Sequence, residues 1–271
     1  LAGALIAALL RAAGALRLED PLARHLPAWR ADGKRAGITL LDLLTHRSGL
    51  PAWHPLYVHA ADGDPEARIA WLRDLAPARQ RGRTVVYSCL GYILLGFAME
   101  RIGGMSLDRL FQDRVTRPLG LADLSYRPDP GERRRIAATE EGNDRERSLA
   151  GPAGDRYNGW RTGVIWGEVH DNNARTLGGV SANAGLFGTA RAVYLVARET
   201  IGSGRGLLEV VPESGVVGHR TEPLGDHRGE LADQFAVCVD TEHTLRVAKY
   251  APQVLVLFAE IARALPHQRV E

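Results

Sequence analysis

The chain opens on "LAGALIAALLRAAGALRL", and this stretch constrains the fold more than any other. Its first ten residues carry no charge and no side-chain hydrogen-bonding group. A helix of that composition is apolar on every side, so it must be surrounded by protein. It is too short for a membrane span, which needs roughly 20 apolar residues, and Arg11 and Arg17 interrupt it. It resembles the apolar part of a signal peptide, but it has no basic leader and runs into "EDPLARHLP" without a cleavage-like break. The pattern begins without a cap. It therefore predicts a mostly buried helix whose beginning lies outside this chain.

Such a helix needs a large core around it. The chain has 271 residues, 45% of them hydrophobic and 24% charged, enough to supply one. The length permits one large domain or two small ones; a single domain over residues 1–271 is expected. Its net charge is +2. Lys34 and Lys249 are the only lysines, and the remaining basic residues are arginines without a basic, aromatic-interleaved stripe. The densest run, Glu132-Arg133-Arg134-Arg135, has Asp129, Glu140 and Glu141 nearby. Nucleic-acid binding is therefore not expected. Two distant cysteines, Cys89 and Cys238, make neither a disulfide framework nor a zinc site, and they fix no compartment.

Local signals punctuate the rest. In "ITLLDLLTHRSGLP", Thr39 is an N-cap with Asp42 three residues on, Leu40, Leu43 and Leu44 form one face, and Gly49-Pro51 stop the helix. His46, near that helix end, suits a dipole-capping histidine. Pro65 to Ala76 reads as an amphipathic helix, Leu90 to Ile102 as a helix ending at Gly103-Gly104, and Ser106 to Val115 as another, ended by "RPLGL". From Ser125 to Trp166 the chain is polar and rich in Gly, Pro and Arg, the composition of a functional cover or a disordered loop. Thr189 caps a helix ending near Gly202. Beyond Gly206, "QFAVCVDT" and "LRVAKY" alternate like strands, and "QVLVLFAEIARAL" reads as a closing helix. His46, His54 and His59 lack metal-ligand spacing and read as solvated loop residues, so neither metal nor cofactor is expected.

Four stretches, in order, carry a resemblance: "LEDPLARHLP", "TLLDLLTHRSGLP", "VVYSCLGYILLG" and "GEVHDNNARTLGGVSANAGLFGTA". Together they resemble the serine β-lactamase-like hydrolases, which include class C β-lactamases, D-alanyl-D-alanine carboxypeptidases and esterases. The resemblance spans residues 18 to about 200. It implies an α+β fold of the β-lactamase/transpeptidase type, a helical subdomain plus an antiparallel sheet covered by helices, here incomplete. Residues 1–204 are the family-like, mainly helical part, and 205–271 are divergent.

The resemblance also implies a chemistry. A serine in Ser-x-x-Lys is acylated by an amide, lactam or ester and then released by water. A small-molecule or peptidoglycan-like acyl compound is the implied substrate. The match makes Tyr87 the catalytic tyrosine, a phenol that needs nearby cations to act as a base. Ser88 is read as a helix cap. Cys89 stands where the family usually has Asn or Asp, and a thiol is a weaker donor than an amide. Cys89 as a nucleophile is the less favoured reading, a small buried cysteine being the common case. His170 and Asp171 line the pocket mouth, or Asp171 caps the following turn. His219, in "GVVGHRTEPLG", is the nearest match to the histidine of a third motif, although Arg220 and Thr221 fit it badly.

The nucleophile itself is not found. Lys34 follows Ala31 and Lys249 follows Arg246 at the three-residue spacing, and "GVSAN" fails as a Gly-x-Ser-x-Gly elbow. In the family that motif immediately precedes a helix like Leu1 to Leu16. The expectation is therefore an N-terminally truncated hydrolase, inactive as it stands, with a non-catalytic binding domain as the alternative.

Overall fold

The computed structural model describes residues 2–30, 35–60 and 63–201. The strands and closing helix expected after Gly206, together with His219 and Cys238, lie outside the described residues. In chain order the described elements begin with α1 (Ala2–Ala12), α2 (Leu22–His25), α3 (Leu40–Leu44), α4 (Leu56–His59), α5 (Pro65–Asp74) and α6 (Cys89–Gly103). There follow α7 (Leu107–Phe111), α8 (Arg117–Leu119), β1 (Leu124–Tyr126), β2 (Ala138–Glu141), α9 (Asp144–Ala150), β3 (Val164–Trp166), α10 (Asn172–Thr176), β4 (Leu186–Gly188) and α11 (Ala190–Ile201).

The apolar opening stretch is a buried helix. Every residue of α1 from Ala2 to Leu10 is buried, and its main neighbour is α6. The close approach requires small residues. A Cβ on Gly3 would lie 2.9 Å from that of Ala182, so the amino end of α1 is pressed against the 181–183 segment. Helix α6 is the hub, in contact with α1, α2, α3, α5 and α7. Leu94, Leu95, Ala98 and Met99 along it are wholly excluded from solvent.

Three of the caps follow the sequence, whereas Ser106, expected to cap α7, makes no side-chain cap bond, and Leu107 N donates to Glu100 Oε1 at 2.9 Å instead. Thr39 and Asp42 form a reciprocal capping box on α3, Ser88 caps α6, and Thr189 Oγ1 accepts from Ala192 N at 3.1 Å at the start of α11. Gly104 ends α6 in the left-handed region at φ 66°. Two readings are refined. Helix α3 stops at Leu44, before Gly49, because His46 itself turns left-handed at φ 56°. The Ser106 helix does not stop at Val115. It widens into a π-type turn over Gln112–Thr116 and continues through α8 to Gly120. Pro118 has no N–H to return to the preceding turn and its ring crowds the carbonyl there; a wider turn just before it accommodates both.

The strands make two antiparallel pairs. β1 pairs with β4 in the register Leu124↔Gly188, Ser125↔Phe187 and Tyr126↔Leu186. β2 pairs with β3, with an irregularity between Ala138 and Glu140. The polar Ser125–Trp166 stretch is thus an ordered excursion rather than a bare loop. Its tip is pinned by Asn143, whose Oδ1 accepts from Arg161 Nε at 3.0 Å and whose Nδ2 donates to the His170 carbonyl at 3.2 Å. Tyr157 and Trp160 pack on Tyr57, with ring centroids 4.7 and 5.6 Å away.

Candidate active site

The turn before α6 is built by hydrogen bonds from a distant segment. Ser88 Oγ accepts from Gly91 N at 3.1 Å and donates to the Pro51 carbonyl at 2.6 Å. Cys89 N donates to the Ala52 carbonyl at 2.9 Å and Val86 N to that of His46, also at 2.9 Å. Ser88 N donates to His46 Nδ1 at 3.1 Å. That bond needs a bare Nδ1, so the ring is neutral with its proton on Nε2. Burial lowers the His46 pKa in the same sense. The imidazole is therefore a strut for the tyrosine turn and not a charged dipole cap. It lies between Tyr87, 4.7 Å away, and Tyr92, stacked at 4.9 Å.

Tyr87 is 65% exposed at the rim of this turn. Its phenol pKa is raised, first by partial burial and then by Cys89 and Asp171; no cation is among the groups that shift it. At neutral pH it is a proton donor. The Cys89 thiol is pushed up to about 11, by burial first and then by Asp171. At neutral pH that favours the thiol over the thiolate.

Of the two readings of Asp171, the structure shows the cap, and the side chain makes a second contact besides. Its Oδ1 accepts from Ala174 N at 2.6 Å, capping α10, and its Oδ2 accepts from Asn183 Nδ2 at 3.2 Å. Burial raises its pKa. Asn173 fastens α10 to the α4 segment by accepting from Leu56 N at 2.8 Å and donating to the His54 carbonyl at 3.0 Å. The His170 side chain is exposed; its carbonyl, not its ring, enters the network. Glu146 reaches in from α9 and accepts from Asn172 N at 3.1 Å. Burial, then Asp171, lifts its pKa to about 7.

Tyr87, Cys89 and Asp171 are thus brought together, with Glu146 and Asn183 as partners that sequence reasoning missed. Their signal was faint: polar residues spaced through the glycine-rich 167–185 stretch, and one glutamate among many on α9. His54 and His59 are not free in solvent, since both pack on Trp71 with ring centroids 5.3 and 5.2 Å away. Among the described residues no group of three or more His, Cys, Asp or Glu side chains is arranged to hold a metal ion. Among them, too, no helix is long and apolar enough to cross a membrane.

A family model described as Beta-lactamase matches residues 1–226. The chain belongs to the β-lactamase family. An Escherichia coli (strain K12) protein provisionally named a D-alanyl-D-alanine carboxypeptidase is 31% identical over 207 residues, covering 70% of this chain and 46% of that protein. The N-acetylmuramyl-L-alanine amidase of Bacillus subtilis (strain 168) is 31% identical over 206 residues, covering 70% and 45%. The chain thus spans about half the length of these relatives. Among solved structures, a class C β-lactamase from Rhodobacter sphaeroides superposes with a TM-score of 0.53 at 24% identity, covering 76% of this chain and 50% of that one. A β-lactamase/D-alanine carboxypeptidase from Yersinia pestis superposes at 0.51 and 21%, covering 74% and 51%. These superpositions establish the β-lactamase/transpeptidase-like fold.

Proposed function

We propose that this β-lactamase-family hydrolase chain carries the tyrosine-bearing side of an acyl-enzyme site, with Tyr87 as the residue that moves the proton. One observation carries the reading. Tyr87 sits on a turn fixed by His46, whose ring also stacks on Tyr92 of α6, and Tyr92 in turn lies beside Gly3 at the amino end of α1. In the family the nucleophile motif immediately precedes such a helix. A nucleophile delivered there would meet the phenol, which its raised pKa keeps protonated at neutral pH and so able to donate to a leaving group. The substrate class we assign is a peptidoglycan-like acyl compound, an amide, lactam or ester. The relatives' names support an amide of the cell wall.

The test is Tyr87→Phe in a protein that joins this chain to a Ser-x-x-Lys segment. Turnover should fall by about 10²–10⁴-fold with the melting midpoint unchanged. A variant that hydrolyses at the parent rate but is less stable by about 1 kcal/mol makes the hydroxyl structural and the assignment wrong.

A second reading, a binding domain without chemistry, is favoured by the absence of Ser-x-x-Lys at either lysine of the 271 residues. On both readings the chain by itself turns over neither nitrocefin nor p-nitrophenyl acetate above background. Stoichiometric acylation of one of its serines by a fluorescent penicillin would contradict both.

A further inference from the structure

The segment that leads into α6 is held along one edge only. Gly82 N donates to the Arg47 carbonyl at 2.8 Å and Val86 N to the His46 carbonyl at 2.9 Å. Ser88 N donates to His46 Nδ1 at 3.1 Å. These even-numbered residues face the 46–47 turn. Exposure alternates with them: Val86 is half-buried and Ser88 buried, whereas Val85 is 50% and Tyr87 65% exposed. A period of two is that of a strand. In a strand the N–H and C=O of one residue point to one edge and those of the next residue to the other. The main-chain groups of Val85 and Tyr87 thus point away from the 46–47 turn. Among the described residues they have no hydrogen-bond partner.

This is a short strand edge, fixed on one side and open on the other. Such an edge takes up an added strand. Antiparallel addition is the more stable mode per residue, and it exchanges both N–H···O bonds at Val85 and again at Tyr87. The exposed Val85 and Tyr87 side chains share one face, where they meet the side chains of the two residues paired with them.

Charge decides the occupant. Arg79, Arg81 and Arg83 are all exposed in the turn that opens the segment. Asp42 answers Arg81, accepting from its Nε at 2.6 Å. Arg79 donates to the Ala78 carbonyl at 2.9 Å. Among the described residues, neither Arg79 nor Arg83 has a carboxylate partner. Two such guanidiniums beside an open edge suit a peptide that carries a carboxylate. Arg83 shares the odd-numbered parity of Val85 and Tyr87. An antiparallel peptide reaches it two residues after the one that pairs with Val85.

We propose that residues 83–87 form a docking edge for an extended acidic peptide. The peptide adds as an antiparallel strand, with an apolar residue opposite Tyr87, a second opposite Val85 and a carboxylate at Arg83. The edge uses the main chain of Tyr87 and not its hydroxyl, so it does not depend on the catalytic reading.

The probe is the peptide acetyl-Ser-Val-Thr-Val-Ser-Glu-amide, labelled with a fluorophore, titrated with the full chain and followed by fluorescence anisotropy. N-methylation of its second valine, the residue that pairs with Val85, should weaken binding about tenfold, because it removes a donor and puts a methyl group into the ladder. N-methylation of the threonine, whose N–H points outward, should change affinity by less than about twofold. Arg83→Gln should weaken binding about 2–5-fold, an effect that fades at high salt. Tyr87→Phe should bind as the parent does, which separates this test from the turnover test of the hydroxyl. Equal losses from the two N-methyl peptides, or no binding of the parent peptide, overturn the docking edge. An Arg83→Gln protein that binds like the parent overturns the acidic requirement. A dimer in sedimentation that excludes the peptide gives the edge to a second copy of the chain and overturns the proposal.

Discussion

Two regions of this molecule are ordered by different physics. The helical core around α1, α3 and α6 is dry, made of leucine, alanine and isoleucine with little solvent access. The excursion between β1 and α10 holds its shape with polar groups: Asn143, Arg161, Glu146 and a small aromatic cluster. The core is stabilised by area removed from water, which is spread over many residues. The excursion depends on a few directional bonds, each of which leaves a buried group without a partner when cut. The excursion should therefore fail locally and the core globally.

The largest expected effect breaks the core side of this contrast. Leu94 is fully buried at the centre of α6. Leu94→Ala should cost about 2–5 kcal/mol, from lost transfer energy plus the cavity left behind. Chemical denaturation followed by circular dichroism should show the whole transition moving. If only the excursion responds, the two regions are not independent and the contrast is wrong.

The next effect is smaller and should be confined. Asn143 is 1% exposed and joins three partners, the Arg161 side chain, the Arg161 N–H and the His170 carbonyl. Asn143→Ala takes the acceptor from Arg161 N and Nε, while the His170 carbonyl keeps its bond from the Arg161 guanidinium; the cost should be about 1–3 kcal/mol. Limited proteolysis should cut faster between residues 142 and 163, while the helical signal persists to the parent midpoint. Uniform loss of structure would place Asn143 in the main cooperative unit.

This division also explains what was legible in the sequence. Periodicity and caps are local, so the buried helix at Ala2–Leu10, the Thr39–Asp42 box and the Ser88 and Thr189 caps could be read directly. The site's supports are not local. His46 reaches Ser88 across 42 positions, and Asn173 meets Leu56 across 117. No spacing rule connects such residues. Motif resemblance marked Tyr87 and Cys89, yet it gave no hint that a neutral His46 braces them or that Glu146 comes in from α9. The left-handed turn at His46 was missed because glycine, at Gly49, is the usual sign of one.

The smallest effect sharpens the comparison through pH. Glu146 faces Asp171, Arg161 and the Tyr57 phenol, and its pKa is lifted to about 7 by burial first and by Asp171 second. The unfolded chain ionises a glutamate near pH 4.3. The folded state therefore holds the proton more tightly, and this contribution to stability is complete below the unfolded value and lost as pH rises through about 7. Asp171, also raised, acts in the same direction. Between about pH 6 and about pH 8 the Glu146 loss amounts to roughly 1.4 kcal/mol. His46 opposes it on the acid side, since a histidine kept neutral by burial costs stability at low pH, a cost relieved as pH rises towards its unfolded value near 6.5 and gone above it. Glu146→Gln separates the two. The amide oxygen still accepts from Asn172 N, but nothing at that position titrates. Melting midpoints of parent and variant should converge at the acid end and diverge as pH rises, the variant becoming the more stable. Parallel curves would mean that Glu146 keeps an ordinary carboxylate pKa, and the polar bonds of the excursion would then be insensitive to pH at this position.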